Sequence, residues 1–226
     1  MKKLNLRRTK WKEFYLILFG VSIKRIEKPK AYFDNENAQK LEEVVRVVRR
    51  AFGREQMDYR DIYSHITSPE TVFLAEEENR VLAMASYNSV ILSGIPSLIV
   101  EGIAIAPEAQ GKGIFAKMTD EARNGECAVC LRTQNPRMYR ALQKYCSFIY
   151  PNGKEMPSAI IEIRTALADC INCQIDENGI VRDYYGGLFY GEEPIHEKIT
   201  SFFKEGLGLR LERGDALLCI GLGRSK

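Results

Sequence analysis

Histidine is almost absent from this chain of 226 residues, which contains only His65 and His196. Neither residue stands in an H-x-x-x-D or H-E-x-x-H context, so histidine-based hydrolases and metalloproteases have little support. The chain also lacks an apolar run of roughly 18 residues, the length that a membrane-spanning helix needs. It contains no internal repeat, no low-complexity segment and no clear linker. Its 45% hydrophobic and 28% charged residues are typical of a globular protein.

Two C-x-x-C pairs among the six cysteines raise the question of zinc. Cys127 and Cys130 lie in a segment that reads as a buried strand, where residues three apart point to opposite faces and cannot easily clamp one ion. Cys170 and Cys173 fall near the end of a predicted helix. We therefore expect no metal site and interpret the thiols as core residues in a reducing cytoplasm.

Basic charge is concentrated at the start of the chain. Residues 1–30 hold ten Lys/Arg and two acidic residues, whereas the remainder holds 23 basic and 28 acidic residues. The apolar run 14–21 is not followed by a small-residue cleavage site, so a signal peptide is not favoured. An edge strand or surface helix is the leading interpretation. Weak peripheral contact of residues 1–30 with an anionic membrane is the second, and nucleic acid is not an expected partner.

The spacing of apolar residues predicts an alternation of helices and strands. Helices are expected over 38–52 and 58–66, strands over 71–75, 81–92 and up to residue 105, a helix to about 125, a strand over 127–132, and a helix from residue 135. Beyond residue 150 the pattern predicts helices over 157–171 and 194–205 and strands over 180–184 and 216–222.

A glycine-spaced turn follows the strand that ends at Ile105. Gly111 and Gly113 lie in the turn, and apolar residues at helical spacing come next. The first N–H groups of a helix have no internal partner and carry partial positive charge, so such a turn binds phosphate. It is not a Walker A loop, because Gly113 follows Lys112 where Ser or Thr is needed. The dinucleotide fingerprint also fails, because Ala116 holds the third glycine position. An ordinary glycine turn is the remaining alternative.

The pattern Gln-x-x-Gly-x-Φ, placed directly after a strand that ends in Ile-Ala-Ile-x-Pro, resembles motif A of the GCN5-related N-acetyltransferases (GNAT). Residues 131–145 resemble motif B of the same family. The resemblance covers residues 31–150 and implies the α/β GNAT fold, a mixed and mostly antiparallel sheet flanked by helices. Residues 1–30 are then expected to be an N-terminal extension. The acetyltransferase domain is expected over 31–226, with an elaborated, partly helical part over 150–212.

The resemblance also implies a binding site for acetyl-CoA as co-substrate, without a metal. The end of the strand pairs with the amide groups of pantetheine, the turn wraps the pyrophosphate, and a motif B asparagine contacts the pantetheine arm. The implied binding residues are Ile103, Ala104, Ile105, Gln110, Gly111, Lys112, Gly113, Ile114, Phe115, Ala116 and Asn135. Asn135 can alternatively cap the helix that begins at Pro136. Phe115 stands where the family has Gly or Ala, which is tolerable if its ring points into the core.

Acetyl transfer to an amine needs a base that leaves the amine neutral and a donor to the oxyanion. Glu101 lies inside an otherwise apolar strand, and the resemblance implies that it is the base. A structural glutamate on the solvent side of a bulge is the alternative. The resemblance also implies that the Ile105 N–H is the oxyanion donor.

The leaving CoA thiolate can also take a proton from a general acid. In the family this acid is usually a tyrosine, and its position in this chain is held by Leu142. Tyr139 and Tyr145 lie about one turn to either side, and Tyr139 is our candidate acid. Packing is the alternative for both tyrosines. Because a thiol has a pKa of only about 8.5, an acid is dispensable.

These features predict a cytoplasmic, acetyl-CoA-dependent N-acetyltransferase that acts on a primary amine by direct attack in a ternary complex. A small-molecule or peptide amine is the expected acceptor, protein lysine stays open, and a homodimer is a further expectation. The alternative is a non-catalytic acyl-CoA-binding sensor that kept the cofactor cleft but lost the acid at Leu142.

Overall fold

The computed structural model describes residues 20–35 and 37–224. These residues divide into two compact units. The first unit comprises residues up to 88 together with 101–122, and the second comprises 89–100 together with 123–224. Most of the predicted apolar run 14–21, and most of the basic start of the chain, lie outside the described residues.

In its described residues, the first unit contains four α-helices and strands from one sheet. Its elements are β1 (Ser22–Glu27), α1 (Pro29–Asn35), α2 (Ala38–Phe52), α3 (Tyr59–Thr67), β2 (Thr71–Glu77), most of β3 (Arg80–Leu92), the end of β4 (Ile95–Ile105) and α4 (Ile114–Ala122). The helices predicted over 38–52 and 58–66 and the strands predicted over 71–75 and 81–92 are confirmed. The short helix α1 was not predicted.

Helix α2 follows directly from its sequence pattern. Leu41, Val44 and Val48 recur on one face and are buried in the core of the first unit. Gly53 ends the helix in the left-handed conformation at φ 64°. Asn37 stands at the N-cap position but makes no side-chain cap, because its Nδ2 instead donates to the Tyr32 carbonyl oxygen at 3.0 Å.

The strands of the first unit follow the order β1-β2-β3-β4. β1 pairs antiparallel with β2, so residues 22–27 form an edge strand among the described residues. β2 and β3 form an antiparallel hairpin whose turn residues, Glu78 and Asn79, both have positive φ, at 50° and 65°. The Ala106 N–H donates to the Leu82 carbonyl oxygen at 2.8 Å. This hydrogen bond holds the end of β4 against β3 just before the glycine turn.

The second unit surrounds the remaining strands and the C-terminal part of the chain. Its elements are the ends of β3 and β4 that the first unit leaves, β5 (Ala128–Thr133), α5 (Pro136–Tyr145), β6 (Cys146–Tyr150), α6 (Ser158–Cys170), β7 (Ile180–Val181) and β8 (Ala216–Arg224). β4 pairs parallel with β5 from Ser97–Ala128 to Val100–Leu131. β8 lies antiparallel between β5 and β6.

The closing strands differ from the prediction. The strand expected over 180–184 shrinks to Ile180–Val181. On its other edge from β5, β8 pairs with β6, a strand that was not predicted. β6 follows α5 without a Gly or Pro between them, so the sequence carries no boundary signal. On β8, a Cβ at Gly221 would lie 2.4 Å from the Cys146 sulfur, so only glycine permits this close approach.

The elaborated C-terminal part is partly helical, as predicted. Helix α6 is confirmed, and its residues Ile160, Ile163 and Leu167 are buried in the core of the second unit. The helix predicted over 194–205 is wrong in extent, since the structure forms mainly a π-helical turn at Phe202–Gly206.

A buried carboxylate organises this C-terminal part. Asp215 has a fully buried side chain that accepts from Arg182 Nη1 at 2.6 Å and Arg210 Nε at 3.1 Å. It also accepts from the Asp183 N–H at 3.1 Å. Burial alone would raise the pKa of Asp215, but these hydrogen bonds outweigh it and lower the pKa.

Candidate functional site

The predicted phosphate loop connects β4 to α4 within the first unit. It starts with a 3₁₀ turn at Pro107–Ala109, in which the Ala109 N–H donates to the Ala106 carbonyl oxygen at 2.8 Å. Gln110 then becomes extended, and its Nε2 donates to the Ile105 carbonyl oxygen at 3.1 Å. The side chain thereby ties the loop to the strand that precedes it.

Both glycines of this loop are required by its conformation. Gly111 and Gly113 have φ values of 77° and 80°, which favour glycine strongly. A Cβ at either position would meet no atom within 4 Å, so the two residues face open space. The i→i−4 ladder of α4 begins where the Lys117 N–H donates to the Gly113 carbonyl oxygen at 3.1 Å. The loop therefore presents the positively polarised end of the helix, with Lys112 beside it.

Phe115 departs from the Gly or Ala that the family has at this position, and the structure accommodates it. The residue is only 6% exposed, so its ring points into the core as the sequence interpretation requires. The Thr119 hydroxyl donates to the Phe115 carbonyl oxygen at 2.8 Å and lies 3.1 Å from the Tyr87 hydroxyl. These contacts fix α4 against β3 inside the first unit.

Glu101 is half-buried in β4, and its carboxylate is held by a neighbouring strand. Asn88 Nδ2 donates to Glu101 Oε1 at 2.9 Å, and Asn88 Oδ1 accepts from the Glu70 N–H at 2.8 Å. Ile103 and Ile105, further along the same strand, are half-buried, and Ala104 is buried. Sequence reasoning singled out Glu101 but missed Asn88, because no sequence pattern links residues on adjacent strands.

In the second unit, Asn135 caps α5. Its Oδ1 accepts from the Arg137 N–H at 2.9 Å, and its own N–H donates to Thr133 Oγ1 at 2.8 Å. The capping interpretation is thus confirmed. An asparagine amide offers two donors and two acceptor lone pairs, so the cap leaves capacity for a ligand.

The two tyrosines considered as acids are both buried and hydrogen-bonded within the second unit. Tyr139 is 2% exposed, and its hydroxyl donates to the Pro151 carbonyl oxygen at 2.6 Å. Burial also raises the pKa of the Tyr139 phenol, which weakens it as an acid. Tyr145 is buried and accepts from Arg123 Nη1 at 3.3 Å. Leu142, at the family's usual acid position, is 0% exposed and contributes no polar group.

Another tyrosine reaches the motif B asparagine, and sequence reasoning missed it. The Tyr190 hydroxyl makes hydrogen bonds with the side chains of Asn135 and Thr133. Burial raises the pKa of Tyr190 to about 12, although these two hydrogen bonds oppose the rise. The phenol is therefore protonated at neutral pH, beside the residue that caps α5.

Gln134 places the segment that carries Tyr190. Its side chain is almost fully buried. Nε2 donates to the carbonyl oxygens of Gly187 at 3.2 Å and Leu211 at 3.1 Å, and Oε1 accepts from the Phe189 N–H at 2.9 Å. The clustering of aromatic residues over 184–190 was the one sequence signal that could have drawn attention to this segment.

Cys130 is fully buried in β5, and burial raises its thiol pKa to about 12. Over residues 20–35 and 37–224, no three His, Cys, Asp or Glu side chains are grouped so that they could hold a metal ion. Within the same residues, every helix is too short or too polar to cross a membrane.

Comparisons with known proteins agree with the motifs. Residues 34–142 match the family model for the acetyltransferase (GNAT) domain. The chain is similar to the IAA acetyltransferase from Bacillus cereus ATCC 14579, at 16% identity over 91% of this chain and 99% of that one, with a TM-score of 0.42. It is also similar to the ribosomal-protein-S18-alanine N-acetyltransferase from Escherichia coli, at 15% identity over 91% and 96% of the two chains, with a TM-score of 0.43.

A third solved structure contains the expected co-substrate. A GNAT family acetyltransferase from Brucella melitensis in complex with acetyl-CoA matches at 16% identity over 53% of this chain and 80% of that one, with a TM-score of 0.36. No curated protein matches the chain.

Proposed function

Residues 34–142 belong to the GNAT acetyltransferase domain family, and on this premise we propose that the chain is an acetyl-CoA-dependent N-acetyltransferase. In this proposal it transfers the acetyl group to a primary amine by direct attack in a ternary complex. The observation that carries it is the loop of Gly111 and Gly113, which is open to solvent at the start of α4. Such a loop suits a pyrophosphate because backbone N–H groups and the helix dipole favour an anion.

Each part of acetyl-CoA has a proposed set of contacting residues. Gln110 to Ala116 would hold the pyrophosphate, with Lys112 as the cation. The backbone of Ile103–Ile105, directly before this loop, would pair with the amide groups of pantetheine. Asn135 would contact the same arm while it caps α5. When bound, acetyl-CoA supplies an activated acyl group and a thiolate leaving group.

Glu101 is the proposed general base. The acceptor arrives as an ammonium ion and is not nucleophilic until it loses a proton. The Glu101 carboxylate would take this proton, after which the amine lone pair forms the new C–N bond and the C–S bond breaks. Between these two events the acetyl carbonyl oxygen gains negative charge, and the Ile105 N–H would donate a hydrogen bond to it.

Tyr190 is a better proton donor for the thiolate than Tyr139. Its hydroxyl contacts Asn135, the residue proposed to hold the pantetheine arm. Tyr139 would first have to break its bond to the Pro151 carbonyl. Because a thiol has a pKa of only about 8.5, the contribution of any acid is expected to be small.

A non-catalytic acyl-CoA sensor remains the second candidate, and one observation favours it. Leu142 is fully buried, so this position supplies no proton donor. Turnover separates the two candidates. The sensor would bind acetyl-CoA and release no thiol with any amine.

The test combines binding with an acceptor panel. Acetyl-CoA at 100 times its Kd should stabilise the fold by about 2.7 kcal/mol, which is visible as a rise in Tm. Release of free thiol is then followed with aminosugars, polyamines, free amino acids, and peptides that carry an N-terminal amine or a lysine. No Tm shift at millimolar acetyl-CoA would refute the proposal, and a shift without thiol release on the whole panel would favour the sensor.

Four further expectations stay proposals. They are a small-molecule or peptide amine as acceptor, a cytoplasmic location, a homodimer, and a boundary near residue 30 between an N-terminal extension and the acetyltransferase domain. For the extension, weak peripheral membrane contact is also proposed. Most of residues 1–30 lie outside the described structure.

A further inference from the structure

The carboxylate of Glu101 is linked to the start of β2 through a single amide side chain. Asn88 lies between them, with Nδ2 at 2.9 Å from Glu101 Oε1 and Oδ1 at 2.8 Å from the Glu70 nitrogen. We propose that Asn88 is a positioning residue that orients the Glu101 carboxylate toward the acceptor amine. The inference rests on the proposed function, because it assigns a partner to the proposed base.

The Glu70 contact fixes which way the Asn88 amide faces. A backbone N–H can only donate, so the group that faces Glu70 must be the Asn88 oxygen. The NH₂ group then necessarily faces Glu101, where an ionised carboxylate can only accept. The orientation of the amide thus follows from the chemistry of its two neighbours.

The anchor of this link is rigid. Glu70 follows the buried Pro69, whose ring fixes its own φ, and precedes Thr71, the first residue of β2. Thr71 is opposite Tyr87 in the β2–β3 ladder, so the residue after Glu70 and the residue before Asn88 are held together by the sheet. The Glu70 side chain is exposed, and only its backbone N–H enters the link.

A neutral donor suits a base better than a cation would. A glutamate has three side-chain torsions, and a fixed hydrogen bond restricts them before the substrate binds. Arg or Lys at position 88 would also hold the carboxylate, but it would stabilise the charged form strongly and weaken the base. The amide of Asn88 orients the carboxylate and adds no charge of its own.

The test compares kcat, KM and pH–rate profiles for wild type, Asn88→Ala and Asn88→Asp, each also in the Glu101→Gln background. Asn88→Ala should lower kcat about 10- to 100-fold at neutral pH, the range expected for losing a hydrogen bond to a charged group, with KM for acetyl-CoA unchanged. Asn88→Asp keeps an acceptor for the Glu70 N–H, but it places a like charge next to Glu101. It should therefore lose more activity, and the acidic limb of its pH profile should move to higher pH.

The Glu101→Gln background separates positioning from a structural role. If Asn88 acts through Glu101, then Asn88→Ala should cost nothing further once the carboxylate is gone. Asn37→Ala is the matched control, since Asn37 also donates from Nδ2 but only to the Tyr32 carbonyl. This variant should keep the wild-type kcat.

The outcomes distinguish the inference from the function beneath it. Two results would overturn the inference and leave the proposed function intact. In the first, the wild type acetylates an amine and Asn88→Ala has the same kcat. In the second, Asn88→Ala causes an equal loss of kcat in the wild-type and Glu101→Gln backgrounds. A wild type that binds acetyl-CoA but acetylates no amine would overturn the proposed function and the inference together.

Discussion

The Tyr139 hydroxyl donates to the Pro151 carbonyl oxygen at 2.6 Å, and the ring packs edge-on against Phe203 with the centroids 5.4 Å apart. Both contacts lie within the second unit and bury the phenol. The hydroxyl that sequence reasoning offered to the departing thiolate is thus already used to satisfy a backbone acceptor. This relationship predicts a structural phenotype rather than a catalytic one.

Tyr139→Phe should leave kcat nearly unchanged and lower the free energy of unfolding by about 1–2 kcal/mol, because the Pro151 carbonyl loses its donor. Urea unfolding and thiol-release kinetics on the same preparation measure the two effects. Tyr145→Phe, which loses a 3.3 Å contact with Arg123, is the comparison variant. A large fall in kcat for Tyr139→Phe without loss of stability would restore Tyr139 as the acid.

Tyr190→Phe should lower kcat and leave the Kd for acetyl-CoA unchanged, because only the hydroxyl next to Asn135 is removed. We expect about a tenfold loss, at or below the low end of acid–base effects, since a thiolate leaves easily. Stopped-flow thiol release and calorimetric binding give the two quantities. If Tyr190→Phe and Tyr139→Phe both keep full activity, the thiolate leaves without a side-chain acid.

Gly113→Asp should abolish acetyl-CoA binding. The substitution adds a carboxylate where the pyrophosphate is proposed to lie, and φ of 80° adds strain of about 1–2 kcal/mol. Gly94→Asp is the matched control, because Gly94 has φ of 79° and is equally open but lies in the β3–β4 turn. Calorimetric titration with acetyl-CoA should give no heat for Gly113→Asp and normal affinity for Gly94→Asp. Normal binding by folded Gly113→Asp would place the pyrophosphate elsewhere.

Glu101→Gln should slow acetyl transfer about 10²–10⁴-fold at neutral pH while the Kd for acetyl-CoA stays the same. Glutamine can still accept the Asn88 hydrogen bond, so the fold should be preserved. The deficit should shrink as the pH rises, since more of the amine is then neutral without a base. Glu27→Gln, at an exposed position of β1, controls for the loss of one charge. An unchanged rate at neutral pH would make Glu101 a structural residue.

Asp215→Asn should destabilise the protein by on the order of 3 kcal/mol at neutral pH, because two arginines lose a buried partner. The folded-state pKa of Asp215 lies below its ordinary value, so its contribution is present above about pH 4 and is lost as the pH falls through the folded-state pKa. The difference in Tm between wild type and variant should therefore be constant above about pH 4 and narrow as the pH falls below it. Asp183→Asn removes an exposed 3.7 Å ion pair with Arg213 and should change Tm little.

Local patterns in the sequence determined the elements that have their own start and stop signals. The apolar face of Leu41, Val44 and Val48 ends at Gly53, and this periodicity needs no distant partner to be read. The loop of Gly111 and Gly113 was also recognisable from sequence, because closely spaced glycines permit the left-handed backbone that such a turn needs. These signals sufficed for the mixed sheet and for the family.

Tertiary structure decided the identity of the last strands and the roles of single side chains. β6 pairs with β8, where Gly221, far along the chain, leaves room for the Cys146 side chain. Asn88 on β3 contacts Glu101 on the adjacent strand β4. Tyr190 contacts Asn135, and Gln134 holds the segment that carries Tyr190. A hydrogen bond depends on atoms within about 3 Å, and sequence spacing specifies such distances only inside one helix, strand or turn. The partners of the proposed catalytic groups come from separate elements, so folding alone brings them together.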